Sequence, residues 1–488
     1  MSDRPNLIVF LPDQLRPDFL SCYGADFVAT PGIDSIADHG TRFTRAMSSS
    51  PVCVPARNAL QTGIHPLRSG VLNNGHALRP DYRDLGVRTV ADLLAADGYY
   101  TAAIGKMHFY PWDARNGFQY RVVAEDKRHV EIRDDYFHYL SRRGLRKRRG
   151  TECDGYLQNF GAITNPVPVE HSVDRFVGRA AQDFVRRLGP EGPFALFVAF
   201  PGPHCPYDPD ETLLTHVDVG RLPRPIPDTG MRGSGIWQDM VDNNRLPWNG
   251  VDYSDFPEAA KMRIRHYYAA SVYQIDHEVA GVLQALRDIG QEDNTAVVVA
   301  SDHGDYLGDH ELIGKNSYFE SAIRIPMIVR RPGQHTPAVS DALVDLYDLG
   351  PTILQLLGVP VPEYVDARAL PAPVIEGQPS RDAIVGGLSH AWMYRTDRYK
   401  LAIYASGERT LFDLQNDPTE QDNLTGKPEF QQTYAALEAA LISQVMRLTT
   451  SAFDHQVALP PVDARGVRAF PREGWKVNYP RQVGELRL

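Results

Sequence analysis

The sequence predicts an α/β protein: a large α/β/α sandwich with a mostly parallel central sheet, followed by a small C-terminal α+β subdomain. Three observations carry this. Continuous apolar runs of strand length recur along the first 330 residues, helical patterns fall between them, and a Pro-rich break separates them from a stretch of shorter strand-like runs. Strands buried on both faces read as unbroken Val/Ile/Leu-rich runs rather than as alternating ones.

The runs NLIVFL (6–11), YTAAI (100–104), FALFVAF (194–200), TAVVVA (295–300) and IPMIVR (325–330) are the buried strands. Between them, Val173, Phe176, Val177, Ala180, Phe184 and Leu188 repeat at helical spacing, and residues 264–288 form a longer helical stretch. LPAPVIEGQPSRD (370–382) is the break, with strand-like runs near 383–413 and a helix near 429–448 beyond it. The expected division is a catalytic domain over 1–375, the α+β subdomain over 376–450, and a tail over 451–488. The tail has no clear periodicity and is suited to wrap the body or to join a second copy in a homo-oligomer. There are no internal repeats.

The chain of 488 residues holds 51 Lys+Arg against 61 Asp+Glu, a net charge of −10, which argues against general nucleic-acid binding. No window approaches about 18 uninterrupted apolar residues, and the N-terminus lacks a basic leader, so no membrane span is expected and a cytoplasmic location is. Cys22, Cys53, Cys153 and Cys205 are scattered without CxxC pairing, which sets aside a disulfide framework or a zinc ribbon.

Polar residues follow four of the strands: Asp13 and Gln14 in LPDQ, Lys106 and His108 in IGKMH, His204 in PGPHCP, and Asp302 and His303 in SDHGD. Ligands in open α/β sheets bind outside the carboxyl ends of the strands, so these residues point to one site. Singly, an Asp after a strand is more often a helix cap and a lone His more often structural. Asp13, Gln14, Asp302 and His303 offer hard oxygen ligands with one imidazole, suited to Ca²⁺, Mg²⁺ or Mn²⁺. Arg57, Lys106 and Lys315 are cations fit to hold an anion or to offset the carboxylates. A divalent metal ringed by cations suits a sulfate or phosphate ester.

SSSPVCVPARNALQTG (48–63) sets a thiol before a helix that Pro55 suits in its first turn, where free amides point. Cys53 and Arg57 have three residues between them, too few for a tyrosine-phosphatase loop, which needs five. On these residues alone, a buried structural cysteine and an anchored or activated one are equally open.

The pattern C-x-P-x-R at Cys53, Pro55 and Arg57, followed by LQTGIHPLRSGVLNNG, resembles the signature of the type I sulfatases of the alkaline phosphatase superfamily. NLIVFLPDQLRPDFLSCYG, TPGIDSIADHGTRFTRAM, GYYTAAIGKMHF, ASDHGDYLGDHELIGKNSYFESAIRIPMIV and LFDLQNDPTEQDNL match family segments in order, over most of the chain. The resemblance implies an alkaline-phosphatase-like fold and hydrolysis of sulfate monoesters. It implies that a formylglycine-generating enzyme oxidises Cys53 to formylglycine. One hydroxyl of the aldehyde hydrate would attack sulfur, and the second would expel sulfate. It further implies that Asp13, Gln14, Asp302, His303 and the group at Cys53 bind one divalent ion, Ca²⁺ or Mn²⁺. Arg57 and Lys106 would hold the hydrate and its ester, and His108 would accept the proton that triggers elimination. His204 and Lys315 would bind the sulfate and protonate the leaving oxygen, with Asn74 near the transferred group.

The chain departs from many relatives in having Gln14 where they have a second Asp, and His303 where they have Asn. The Asp-Gln pair and GKMHF resemble choline-sulfatase-like members, and the Asp-Gln pair also occurs in phosphonate monoester hydrolases. Phosphonate monoester or phosphodiester hydrolysis is therefore the alternative to sulfate monoester hydrolysis, and an unmodified pseudo-enzyme is the third class. The basic run RRGLRKRRG (142–150) is expected to be a solvated loop. The segment from His204 to 260, with Trp237 and Trp248, suits either a rim over the site or surface packing.

Overall fold

The apolar runs assemble into one eight-stranded sheet in a computed structural model that describes residues 4–188, 192–450 and 456–458. In chain order the strands of the first 345 residues are β1 (Asn6–Phe10), β2 (Thr41–Met47), β3 (His76–Leu78), β4 (Tyr100–Gly105), β5 (Tyr120–Val123), β6 (Phe194–Ala199), β7 (Thr295–Ala300), β8 (Met327–Arg330) and β9 (Ala338–Asp345). All but β3 join the sheet, in the order β5-β4-β6-β1-β7-β8-β2-β9. Every pairing is parallel except those that β8 makes with β7 and β2, so the mostly parallel sheet expected from the sequence is present.

Burial explains the runs. Every residue of β1, β6 and β7 is buried, because the sheet is covered on both sides. On one face the helices Val173–Leu188 and Glu258–Asp288 pack Val177, Val272, Ile275 and Val279 against Ile8, Phe10, Leu196 and Val198. On the other, Leu60, Leu94 and Ile353 meet Val9, Phe197 and Val298. Full burial of such a side chain contributes about 1.5–3 kcal/mol, so these two layers hold the strand ends rigidly. The longer helix begins at Glu258, directly after Pro257, six residues before the periodic apolar stretch at 264. Its first turn exposes Glu258 and Ala259 and buries only Ala260 and the stem of Lys261, which is why apolar periodicity does not mark it.

Beyond the break, β10 (Ala383–Leu388), β11 (Ala391–Thr396), β12 (Tyr399–Tyr404) and β13 (Arg409–Asp413) form an antiparallel meander covered by the helix Gln431–Thr450. This small sheet supports the segment before Cys53. Gly387 N–H donates to Ser49 O at 3.0 Å, and the Ser50 hydroxyl donates to Gly387 O. A short strand, β14 (Gln456–Ala458), pairs antiparallel with β3. The rest of the expected tail lies outside the described residues.

The basic run 142–150 is mostly solvated, as expected: Arg142, Arg143, Arg146 and Arg148 are exposed, and only Lys147 is buried. Lys147 Nζ is buried against Asp134 Oδ2 at 2.7 Å, Arg146 pairs with Glu152, and Arg149 pairs with Glu131. Trp237 is buried among Met240, Met393 and Tyr404, whereas Trp248 faces a cavity at the carboxyl edge of the sheet. The two tryptophans thus divide between the two roles considered for their segment.

Candidate active site

β4, β6, β1 and β7 are consecutive neighbours in the sheet, and the polar residues predicted after each run leave their carboxyl ends side by side. Asp13 and Asp302 are brought together because β1 and β7 pair directly and in parallel. Cys53 arrives from the side as the first residue of the helix Cys53–Thr62, with Val52 extended before it and Pro55 at the third position.

Asp13, Cys53, Asp302 and His303 are all fully buried, and their ligand atoms lie within 4.8 Å of one another. Cys53 Sγ stands 3.2 Å from His303 Nε2 and 3.7 Å from Asp13 Oδ1. The His303 ring is oriented from behind: Nδ1 lies 2.9 Å from Gly304 O and carries a proton there, which leaves Nε2 facing Cys53. Gln14 is oriented in the same way. Its Nε2 donates to the Asp305 carboxylate, which turns Oε1 toward the site, where Lys315 Nζ donates to it at 2.7 Å. Gln14 has φ of 71°, a left-handed conformation that costs a non-glycine residue about 1–3 kcal/mol. Tyr268 holds it, donating to Gln14 O at 2.6 Å and accepting from Arg16 N at 2.8 Å.

The cations enclose this cluster. Arg57, one turn after Cys53, donates through Nε to Asp302 Oδ2 at 2.7 Å, through Nη2 to Asp13 Oδ2 at 3.2 Å, and through Nη1 to Lys106 O. Lys106 Nζ reaches Asp13 Oδ2 at 2.7 Å and Asp126 Oδ2 at 2.9 Å. Gly105 aims that lysine: its φ is 101°, and a Cβ there would lie 2.0 Å from Ala199 O. Burial and the Cys53 sulfur push the Asp13 carboxyl up, but Lys106, His204 and Arg57 outweigh them and hold it below the usual range. Asp302 moves the other way, raised by burial that Arg57 only partly offsets. Burial likewise raises the Cys53 thiol, yet Lys315, Lys106 and His303, with a hydrogen bond from His108, hold it well below the ordinary thiol range.

His204, Lys315 and His108 stand at the mouth of the cluster and line the cavity. Lys315 Nζ lies 2.6 Å and Arg128 Nη2 3.3 Å from His204 Nε2, while His204 Nδ1 lies 2.8 Å from Cys205 O. Burial, Lys315 and Arg128 push the His204 ring down to about 3, so it is neutral with Nε2 as an acceptor. The His108 turn is fixed by Glu125, which accepts from the backbone N–H groups of Met107 and His108, and His108 Nδ1 is buried without a hydrogen-bond partner. Asn74 accepts from Val54 N through Oδ1 at 3.0 Å, which turns its NH₂ group away.

Every predicted site residue is therefore in one place. Three contributors were not anticipated. Asp126 joins Lys106 to Arg128, Arg128 reaches His204, and Asp305 orients Gln14. Asp305 lies within the SDHGD run and was legible as a further carboxylate, whereas Asp126 and Arg128 come from a loop after the short edge strand β5 and carry no pattern.

The donor set fits a hard divalent cation. Two carboxylate groups and the imidazole Nε2 of His303 cluster with the sulfur of Cys53, Gln14 lines the same cavity with Oε1 toward Lys315, and each is held by a second partner. Such a cluster at the carboxyl ends of adjacent parallel strands is a candidate metal centre. The chain belongs to the sulfatase family, whose model matches residues 5–359; the C-terminal model of N-sulphoglucosamine sulphohydrolase matches residues 308–447. By its family it is a sulfuric ester hydrolase.

An arylsulfatase of Clostridium perfringens is 28% identical, covering 91% of this chain and 94% of its own length. A choline-sulfatase of Rhizobium meliloti is 27% identical, covering 93% and 89%. Among solved structures, the phosphonate monoester hydrolase of Agrobacterium radiobacter shares the fold with a TM-score of 0.74 at 22% identity, covering 96% of this chain and 100% of that one. No described helix is long and apolar enough to cross a membrane.

Proposed function

We propose that the protein hydrolyses sulfate monoesters by way of a formylglycine made from Cys53. The observation that carries this reading is the place of Cys53: the reacting side chain is itself one of four buried ligands, at a helix N-terminus, inside an intact C-x-P-x-R pattern. Asp13, Gln14, Asp302 and His303 would hold one divalent ion, Ca²⁺ or Mn²⁺, together with the group at position 53. Bound there, the ion would polarise an ester oxygen and favour the ionised nucleophile. Formylglycine would supply an aldehyde hydrate whose hydroxyl attacks sulfur.

The chain's own groups have separable tasks. Arg57 and Lys106, buried and ion-paired, hold the Asp13 carboxyl ionised, partly offset the burial of Asp302, and offset charge on the reacting group. Asn74 presents its NH₂ group to a sulfuryl oxygen. His108, with an unpartnered Nδ1, accepts the proton of the second hydroxyl when sulfate leaves. His204 is neutral and accepts at Nε2, so Lys315 is the member of the pair that donates a proton to the leaving alcohol oxygen.

The second reading, phosphonate monoester or phosphodiester hydrolysis, is favoured by the Asp13-Gln14 pair and by the structural likeness to phosphonate monoester hydrolases. The deciding experiment compares kcat/KM for p-nitrophenyl sulfate, p-nitrophenyl phenylphosphonate and a matched phosphodiester, on protein whose Cys53 peptide carries a hydrazide-reactive aldehyde. A sulfate is expected to be the best substrate. A phosphonate or diester exceeding every sulfate tested by more than about tenfold, roughly 1.4 kcal/mol of transition-state preference, would put the second reading first.

A further inference from the structure

The cavity of about 580 Å³ above the cluster identifies the alcohol half of the ester. Among the described residues, none that lines it is an Asp or a Glu. Its charged lining is cationic throughout. Arg79, Arg83 and Arg128 are paired with Asp81, Asp92 and Asp126, but Arg115 is exposed on the wall and makes no ion pair among the described residues.

A cationic alcohol would need open aromatic faces or carboxylates. Three of the rings on the wall already carry a guanidinium over one face. The Arg128 guanidinium sits 4.4 Å from the Trp248 ring, Arg121 sits 5.1 Å from Phe109, and Arg83 sits 4.8 Å from Tyr82. The wall instead offers unsatisfied amides. Gln61 is 3% exposed with neither amide atom hydrogen-bonded, and Asn58 Oδ1 is buried without a partner. A buried amide that makes no hydrogen bond is destabilising, and a ligand's hydroxyl groups would relieve that. Gln61 follows Cys53 by two turns of the same helix, about 12 Å along its axis, so the recognised groups lie well away from the reacting sulfur.

Resting on the sulfatase reading, we propose that the alcohol half of the substrate is polyhydroxylated and carries a second anionic group, a carboxylate or another sulfate, recognised by Arg115 and by the amides of Asn58 and Gln61. A quaternary ammonium alcohol such as choline is disfavoured, because it would meet this cationic lining.

The test uses three aryl sulfates with one reacting centre: phenyl sulfate bearing, at its 4-position, a β-glucuronyl, a β-glucosyl or a trimethylammonium group. Binding is measured by calorimetry to metal-loaded Cys53→Ala protein, which reads the charge preference whether or not turnover occurs. The glucuronyl ester is expected to bind at least tenfold more tightly than the trimethylammonium ester. Arg115→Ala should bring the glucuronyl-to-glucosyl ratio toward one, and Gln61→Leu should weaken both saccharide esters. Tighter or equal binding of the trimethylammonium ester, no measurable binding of the glucuronyl ester, or a ratio unmoved by Arg115→Ala would overturn the proposal. Failure of the sulfatase reading shows separately, as absence of turnover of all three esters by aldehyde-bearing protein.

Discussion

Lys315 Nζ lies 2.6 Å from His204 Nε2, and because His204 Nδ1 is committed to Cys205 O, the lysine is the donor and the imidazole the acceptor. The relationship fixes the charge of the pair as one cation shared over two side chains. The folded-state pKa of His204 is depressed to about 3, so folding favours the neutral ring at every pH above that value. The ring is expected to show no titration step between pH 5 and 8 by NMR, assigned by loss of its signal in His204→Gln. A step near 6.5 would show that the pair does not persist in solution.

Loss of the donor should be felt in the leaving-group step. Lys315→Ala is expected to lower kcat by about 10²–10³ on an ester of a poor leaving alcohol, and by much less on p-nitrophenyl sulfate, whose alcohol leaves without protonation. Equal losses on both substrates would contradict the assignment of the proton to Lys315.

Removal of Asp126 should be costly even though it is no part of the metal cluster. It is 1% exposed and partners both Lys106 and Arg128, so Asp126→Ala leaves two buried cations short of a carboxylate. Breaking such a network costs about 3–5 kcal/mol. A urea-unfolding midpoint within error of the wild type would show that the two cations find other partners.

Metal binding should be visible as stability. Protein stripped with EDTA is expected to gain melting temperature on addition of Ca²⁺ or Mn²⁺, since a ligand that binds only the folded state stabilises it by mass action. Asp302→Asn should remove most of that gain. An unchanged gain would move the metal away from the Asp13, Cys53, Asp302 and His303 cluster.

Cys53→Ala is expected to abolish both hydrazide labelling and turnover with a wild-type circular dichroism spectrum, because the sulfur faces Asp13 and His303 rather than an apolar cluster. Full turnover by the alanine variant would end the formylglycine mechanism.

The parts of this molecule that the sequence exposed are those where one physical cause dominates. β1, β6 and β7 are buried on both faces and read as apolar runs. β2, written TRFTRAM, and β9, written AVSDALVD, are partly exposed along one face, so their polar residues hide them, and β5 is a four-residue edge. The site residues that directly follow a buried run were legible because strand ends converge. Asp126 and Arg128 were not, since the loop that carries them reaches His204 only through the tertiary fold. Pairing between β1 and β7, nearly 300 residues apart, is likewise set by topology rather than by any local pattern.

The complete burial of Cys53 bears on when the protein can become active. The sulfur lies under Arg57, Lys106 and His303, and the segment leading to it is clasped by the small sheet through Ser49, Ser50 and Gly387. An oxidising enzyme working on this thiol would need to reach a sulfur that is closed to solvent in the finished molecule. On the proposed reading, maturation is therefore a race against folding. A copy that closes over an untouched thiol remains a well-folded but inert member of the pool.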